Sequence, residues 1–238
     1  MRLLVTRPEP DAQRTALALQ EHGHQVMVVP LLLIESAAVD LGPGPWDAVV
    51  MTSANSCRAA AKHPRRDELT ALPVFVVGRY GADSARAAGF TNVVSAGGDA
   101  KELALLLKAR FAGRDRRLLY LAGEDRAADL AGEVAAQGIL MKTAVIYRAI
   151  KVRQFPPPAR DALSRREIDA VMHFSRRTAE AYLSCAAAGG ILEKALAPFH
   201  YCLSPQVARP LTEAGATAVR VAERPDKPAM MKLVGTAR

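Results

Sequence analysis

Short apolar runs alternate with amphipathic segments rich in Ala and Leu along the whole chain. The runs have the length of buried strands, and the segments between them have the periodicity of helices. Gly stands where several of these helices would end. The pattern predicts an α/β fold in which parallel strands are covered by helices on both faces. The predicted strands lie at 3–5, 26–29, 48–51, 74–77, 118–121, 170–172 and 201–203, and the helix-ending glycines are Gly23, Gly89, Gly138 and Gly215.

The same strand–helix units occur twice, but in a rotated order. The first matching pair aligns without a gap, which predicts two helices of equal length that end at Gly23 and Gly138. Chance similarity among Ala-rich helices is the alternative, and the ungapped match favours duplication. The matching segments are 2–23 with 117–138, 47–53 with 169–175, and 77–89 with 203–215.

A rotated repeat predicts two similar doubly wound parallel-sheet lobes, one of which is discontinuous. We expect lobe one to contain residues 1–34 and 150–238, and lobe two to contain residues 38–145. The chain would cross between the lobes along two β-prone segments, at about 31–37 and 145–151, which could pair as a two-stranded antiparallel connector.

Composition narrows the class of protein and of partner. The chain has 238 residues, of which 50% are hydrophobic and 5% aromatic, so we expect a globular fold with an aliphatic core. The net charge of +8 favours an anionic partner. Nucleic acid is the weaker interpretation, because the arginines occur in scattered pairs rather than in a dense stripe.

The cysteines and the apolar runs bear on location. Cys57, Cys185 and Cys202 form no CxxC pair, and we expect buried, reduced thiols. No apolar run is long enough for a signal peptide or a membrane span. These features predict a cytoplasmic protein with no membrane partner, and the lack of an obvious apolar patch favours a monomer.

Candidate binding residues lie in six turns that follow predicted strands. Ligands of doubly wound sheets bind at the carboxyl ends of strands, where helix N-termini offer backbone N–H groups to anions. Ser and Thr at such turns are also good N-caps, and capping alone is the favoured role for any single one. Six N-termini facing one cleft would suit a ligand with many carboxylates or phosphates. The candidates are Arg7, Thr52, Ser53, Ala54, Gly78, Arg79, Gly81, Gly123, Ser175, Arg176, Ser204 and Gln206.

Several common catalytic motifs do not occur in the sequence. There is no GxGxxG after a strand, no GxxxxGK[ST], no HExxH and no GxSxG. The sequence therefore predicts no cofactor, no metal and no covalent nucleophile.

Taken together, eight motifs resemble the uroporphyrinogen-III synthase family, over a span from Arg2 to about Val234. They are TRPEPDA, VVPLLLIE, DAVVMTSANS, VFVVGRYGADSARAAGF, LLYLAGEDR, VIYRA, VMHFSRRTAEAYL and CLSPQVARPLTEAG. The resemblance implies two α/β lobes joined by a two-stranded ladder. It also implies an enzyme without a cofactor that cyclises the small molecule hydroxymethylbilane to uroporphyrinogen III, with loss of water and inversion of the last ring.

The resemblance further implies roles for individual residues. Tyr147, in VIYRA, would help hydroxide to leave, although an aromatic that only packs the connector is the alternative. Ser53 and Ser175 match family residues at the cleft, where their backbone N–H groups would bind carboxylates. Gly81 and the pair Gln206-Val207 depart from the family, which often has hydroxyl side chains there. A non-catalytic two-lobed protein that binds an anionic metabolite remains the alternative function.

Overall fold

The computed structural model describes residues 1–113, 115–126 and 129–235. The strands are β1 (Arg2–Val5), β2 (Gln25–Val28), β3 (Leu32–Ser36), β4 (Ala48–Met51), β5 (Val74–Val76), β6 (Val93–Ser95), β7 (Arg117–Gly123), β8 (Leu140–Lys151), β9 (Ala170–His173), β10 (Phe199–Cys202) and β11 (Val219–Val221). The helices are α1 (Asp11–Glu21), α2 (Ala54–Ala60), α3 (Arg66–Thr70), α4 (Gly78–Ala87), α5 (Ala100–Phe111), α6 (Leu130–Ala135), α7 (Pro157–Ser164), α8 (Arg176–Ala188), α9 (Leu192–Leu196), α10 (Pro205–Glu213) and α11 (Lys227–Gly235).

The chain forms two compact units, each built around one sheet. Unit 1 contains Met1–Leu33 and Ile150–Arg238, and unit 2 contains Ile34–Ala149. The sheet of unit 1 has the order β11-β10-β9-β1-β2, and every pairing in it is parallel. The second sheet has the order β3-β8-β7-β4-β5-β6, in which the strands from β8 to β6 are parallel. The predicted α/β class with parallel sheets is confirmed.

Alternate residues along each central strand enter separate core clusters on the two faces of the sheet. In β9, Val171 packs with residues of α7 to α10, whereas Ala170 and Met172 pack with residues of α1 and α11. In β4, Val49 and Val50 divide in the same way between two clusters of unit 2. Because both faces of each sheet are covered, the central strands β4 and β9 are buried at every position.

The two sheets repeat each other residue by residue. The strand order β2-β1-β9-β10-β11 corresponds to β8-β7-β4-β5-β6. Leu3 pairs with Val26, and the residues 115 positions later, Leu118 and Met141, pair with each other. The other registers repeat likewise: Leu3 with Ala170 corresponds to Leu118 with Ala48, Val171 with His200 to Val49 with Val74, and His200 with Val219 to Val74 with Val93. The sequence repeat is therefore a repeat of sheet registers.

The prediction of equal helix lengths is wrong. Helix α1 has 11 residues, whereas α6 has 6. Helix α6 begins late because the side chain of Asp129 accepts a hydrogen bond from the backbone N–H of Gly132 and caps the helix there. The C-terminal ends do match, since Gly23 and Gly138 have φ values of 80° and 72°, a region that favours glycine.

Strand β8 carries two kinds of pairing along its 12 residues. Its first part pairs in parallel with β7, and it also neighbours β3. Ala37 N–H donates to the Ile146 carbonyl at 2.8 Å, and Val152 N–H donates to the Leu31 carbonyl at 3.0 Å. Because residue numbers rise on one strand as they fall on the other, β3 and β8 are antiparallel. The two predicted connector segments thus pair with each other, and they also extend the sheet of unit 2.

The cysteines behave as the sequence predicts. Cys57, Cys185 and Cys202 are free and buried, and burial raises the pKa of the Cys57 thiol to about 11 and that of Cys202 to about 12. All three therefore act as small apolar core residues. Within the described ranges, no helix has both the length and the apolar character needed to cross a membrane.

Candidate anion-binding site

In each unit, one strand-end turn is closed by a serine that caps the following helix. Ser53 precedes α2, and its Oγ accepts a hydrogen bond from Asn55 N–H at 3.1 Å. Ser175 precedes α8, and its Oγ accepts from Thr178 N–H at 3.1 Å. These two serines correspond in the repeat, and both hydroxyls serve as N-caps. The other backbone N–H groups of these two first turns, near Ser53, Ala54 and Ser175, have no partner within the helix, as in any first turn.

The turn that leads into α4 has no such cap. Its N-cap residue is Val77, which offers no side-chain acceptor, so the first N–H groups of this 10-residue helix lack that partner. Gly78 has a φ of 61°, which a residue with a side chain would adopt only with strain. Arg79 is exposed and has no ion-pair partner among the described residues. An uncapped N-terminus and an exposed guanidinium together favour an anion.

The corresponding turn in unit 1 leads into α10 and offers less. Ser204 is the N-cap, but its side chain makes no capping hydrogen bond. Pro205 has no N–H, and the N–H groups of Val207 and Ala208 donate to the Ser204 carbonyl at 3.0 and 3.1 Å. The first-turn N–H left over belongs to Gln206, which is exposed.

Of the residues that depart from the family pattern, Gly81 and Val207 face packed neighbours, whereas Gln206 is exposed. A Cβ placed on Gly81 would meet the Cβ of Val76 at 3.4 Å. Val207 is 5% exposed and lies in the core cluster of α8 and α10. Neither residue brings a hydroxyl group to the turn, so side-chain contacts of that kind cannot occur there.

Two of the six turns do not carry a helix N-terminus, which corrects the prediction that all six would. Helix α1 begins at Asp11, beyond the turn that contains Arg7. The turn that begins at Gly123 is the end of β7, and α6 begins only at Leu130. In the first case residues 6–10 separate the strand from its helix, and in the second the described residues 124–126 and Asp129 are not helical.

Arg7 and Arg176 are both held by carboxylates. The Arg7 guanidinium lies over the ring of Phe174, 4.3 Å from its centroid, and its Nη2 is 3.6 Å from Asp11 Oδ2. This arrangement orients Arg7 and partly balances its charge. Arg176 Nε donates to Glu180 Oε1 at 2.9 Å, on an exposed part of α8. Each could contribute to anion binding from an oriented position.

Tyr147 lies against the backbone of Gly123. The pairing of β7 with β8 changes register at this point, because Ala122 pairs with Val145 and Gly123 pairs with Tyr147. Ile146 is thus the extra residue of a β-bulge, a feature that redirects the next side chain. The Tyr147 ring is half-buried and packs at the margin of the core cluster that contains Ile146. Nothing in the sequence pattern indicated this contact.

Tyr120 was missed by the sequence argument. Its hydroxyl lies 2.9 Å from Oγ1 of Thr52, so the two groups share a hydrogen bond at the carboxyl end of β4. The Tyr120 side chain is otherwise buried in the core of unit 2. A tyrosine inside the apolar run LLYLAG was the signal, because a buried phenol needs a hydrogen-bond partner. Thr52 is therefore occupied by a contact within the unit.

The two sheets and the turns at their strand ends define a class of protein. Each unit is a parallel α/β sheet whose strand ends present helix N-termini and arginines, an arrangement typical of proteins that bind small anions. The described residues contain no group of three or more side chains suited to hold a metal ion. The family described as uroporphyrinogen-III synthase HemD matches residues 13–232, and the chain belongs to this family.

Two solved structures share the fold over nearly the whole chain. The uroporphyrinogen-III synthetase of Helicobacter pylori has a TM-score of 0.67 and 20% sequence identity, and the match covers 100% of both chains. A mutant uroporphyrinogen III synthase of Thermus thermophilus has a TM-score of 0.55 and 18% identity, and the match covers 99% of this chain and 97% of that one. Comparison with curated protein sequences gives no significant match.

Proposed function

We propose that the protein is a uroporphyrinogen-III synthase, a cyclising hydro-lyase of tetrapyrrole and haem biosynthesis. It would convert the linear tetrapyrrole hydroxymethylbilane to uroporphyrinogen III, with loss of water and inversion of the last pyrrole ring. The observation that carries this proposal is the family match over residues 13–232. The anion-binding features of both sheets support it, because the substrate bears an acetate and a propionate on each ring.

The carboxylates of the substrate would bind at the strand ends. In unit 2, the uncapped first turn of α4 and the free guanidinium of Arg79 are the strongest such place. In unit 1, Gln206 N–H lies in the corresponding turn before α10, and the first turn of α8 would bind a further carboxylate. The proposed binding residues are Arg7, Thr52, Ser53, Ala54, Gly78, Arg79, Gly81, Gly123, Ser175, Arg176, Ser204 and Gln206.

Tyr147 is the proposed catalytic residue. The lone pair of a pyrrole nitrogen would expel the hydroxyl group of the bilane, and the Tyr147 hydroxyl would donate a proton to that oxygen, so that water leaves and an azafulvene remains. The substituted α-carbon of the last pyrrole then attacks the azafulvene carbon to give a spiro intermediate. Fragmentation and reclosure of that intermediate invert the last ring, and loss of a proton restores its aromatic character.

Selectivity would come from binding geometry more than from acid catalysis. Closure without the enzyme gives the symmetrical type I isomer, so the protein must favour the spiro-like transition state over direct closure. Holding the flexible bilane with its two ends close together supplies that preference. No cofactor is required for these steps.

The decisive experiment uses freshly prepared hydroxymethylbilane and separates the oxidised porphyrin isomers. We expect the type III isomer, formed faster than the uncatalysed type I product. Type I alone, at the uncatalysed rate, would overturn the proposal. If the bilane then still bound tightly, the result would favour the alternative, a non-catalytic protein that binds an anionic metabolite.

We also propose that the protein acts in the cytoplasm as a monomer, with a small-molecule substrate and with neither nucleic acid nor membrane as a partner. Three free, buried cysteines favour a reducing compartment. The most exposed large apolar side chains, Leu17, Leu33, Leu105 and Leu140, lie on different elements. Sedimentation analysis over a range of concentrations tests the monomer, and duplex DNA titrated at low salt tests the absence of nucleic-acid binding.

A further inference from the structure

We propose that Gly123 is a positioning residue, which sets the location of the Tyr147 hydroxyl by leaving room for the phenol ring. The inference rests on the proposed function, in which Tyr147 protonates the leaving oxygen. It differs from a role of Gly123 in binding the substrate through its backbone N–H, because a side chain added at position 123 would leave that N–H in place.

Gly123 and Tyr147 lie so close together that any side chain at position 123 would clash with the phenol ring. A Cβ built on Gly123 would lie 2.6 Å from Cζ, 2.7 Å from Oη and 3.0 Å from Cε1 of Tyr147. The three atoms belong to the hydroxyl end of the ring, the end that the proposed reaction uses. The phenol therefore lies directly on the backbone at Gly123, where only a hydrogen atom separates them.

The backbone conformation gives no other reason for glycine at this position. Gly123 lies at the end of β7 and is not among the glycines with positive φ, in contrast to Gly78 and Gly138. An alanine at position 123 could adopt the same backbone conformation without strain. The clash with Tyr147 is therefore what disfavours a side chain at position 123.

If position 123 carried a side chain, the phenol ring of Tyr147 is the group that would move. Restoring a normal carbon–carbon separation requires a displacement of about 1 Å. Tyr147 is half-buried, so its ring can move, whereas Gly123 is buried within the paired strands β7 and β8. A Gly123→Ala substitution would retain the hydroxyl group and shift it. An error of about 1 Å in a catalytic group can lower the rate roughly 100-fold.

The test compares four proteins: wild type, Gly123→Ala, Tyr147→Phe and the double variant. We expect Gly123→Ala to lower kcat by about 10- to 100-fold with KM changed less than about threefold. The double variant should be no slower than Tyr147→Phe alone, because Gly123→Ala acts only through the hydroxyl. The control is Gly235→Ala, where a Cβ meets nothing within 4 Å, and it should leave both constants unchanged.

The outcomes separate this inference from the proposed function. Three outcomes would each overturn the positioning role: a wild-type kcat in Gly123→Ala, a raised KM with kcat retained, or additive losses in the double variant. If Tyr147→Phe were nevertheless slow, the proposed mechanism would still stand. Full activity in Tyr147→Phe would remove the catalytic role of Tyr147 and with it this inference.

A second comparison applies if Gly123→Ala fails to fold. Tyr147→Ala removes the ring, so the substitution Gly123→Ala made in that background should then fold and cost little additional stability. If Gly123→Ala also failed to fold in the Tyr147→Ala background, or strongly lowered its free energy of unfolding in urea, the contact would not be the cause and the proposal would be overturned.

Discussion

His173 and His200 form a hydrogen-bonded pair inside unit 1, with Nε2 of His173 3.1 Å from Nδ1 of His200. Both side chains are fully buried, and the ring of Tyr182 packs edge-on against each of them. One ring donates and the other accepts, and the tautomers decide which. Burial lowers the pKa of His200 to about 4, and burial together with the neighbouring ring lowers the pKa of His173 well below its ordinary value.

This pair predicts that the protein loses stability in mild acid. An unfolded histidine titrates near 6.5, so between pH 6.5 and pH 4 the unfolded chain binds protons that the folded chain excludes. The free energy of unfolding therefore falls as the pH falls through this range, by about 3 kcal/mol for His200 alone. Urea unfolding at a series of pH values measures the slope.

The slope can be assigned to the pair by substitution. In the double variant His173→Leu and His200→Leu, the acid-dependent part of the unfolding free energy should shrink, even though the variant is less stable overall. His22→Leu is the matched control, because His22 is exposed at the end of α1. An unchanged slope in the double variant would contradict the assignment.

Tyr147→Phe should slow turnover about 10- to 100-fold, because the variant keeps the ring and loses the proton donor. Product binding should change little, since the phenol hydroxyl is proposed to act on the leaving oxygen. Single-turnover kinetics and product titration measure the two effects. Equal losses in rate and in product affinity would identify Tyr147 as a packing residue.

Ser53→Ala and Ser175→Ala should each lower the free energy of unfolding by about 1 kcal/mol and leave activity nearly unchanged. Both hydroxyls cap helices, and the backbone N–H groups proposed to bind the substrate persist in the variants. Replacement of either serine by Gly should lower the free energy of unfolding by only about a few tenths of 1 kcal/mol, which provides a matched comparison. A large loss of activity without a loss of stability would show that the hydroxyl contacts the substrate.

Arg79→Gln should raise KM about tenfold and leave kcat nearly unchanged, because it removes a charge proposed to bind a substrate carboxylate. Arg86→Gln is the control on the same helix, since Arg86 is exposed in the last turn of α4 and paired with Asp83 at 3.1 Å. Initial rates at several salt concentrations measure both. Equal effects of the two substitutions would indicate a general effect of charge.

The sequence was sufficient for the features that depend on local signals. Apolar runs and helix-ending glycines such as Gly23 and Gly138 recur at fixed spacing, so the parallel α/β class and the rotated repeat could be predicted. The late start of α6 could not, because the cap by Asp129 interrupts a segment whose composition still resembles a helix. Because α6 begins only at Leu130, the turn at Gly123 also has no helix N-terminus.

The contact between Gly123 and Tyr147 could not be predicted from the sequence for a different reason. It depends on the bulge at Ile146, which exists only when β8 is paired with β7. The run VIY is equally apolar with or without the bulge, so periodicity alone does not indicate which way Tyr147 faces. Capping by Ser53 and Ser175, in contrast, was considered from the sequence and is what the structure contains.

The interrupted course of unit 1 has a consequence for biosynthesis. Strand β1 pairs with β9, and Arg2 N–H donates to Asp169 at 2.6 Å across 167 positions. A ribosome therefore releases all of unit 2 before β9 emerges, and we expect unit 2 to fold first on the nascent chain. Until then, β1 and β2 present an unpaired apolar edge, which makes the N-terminal segment the place where a chaperone would be needed.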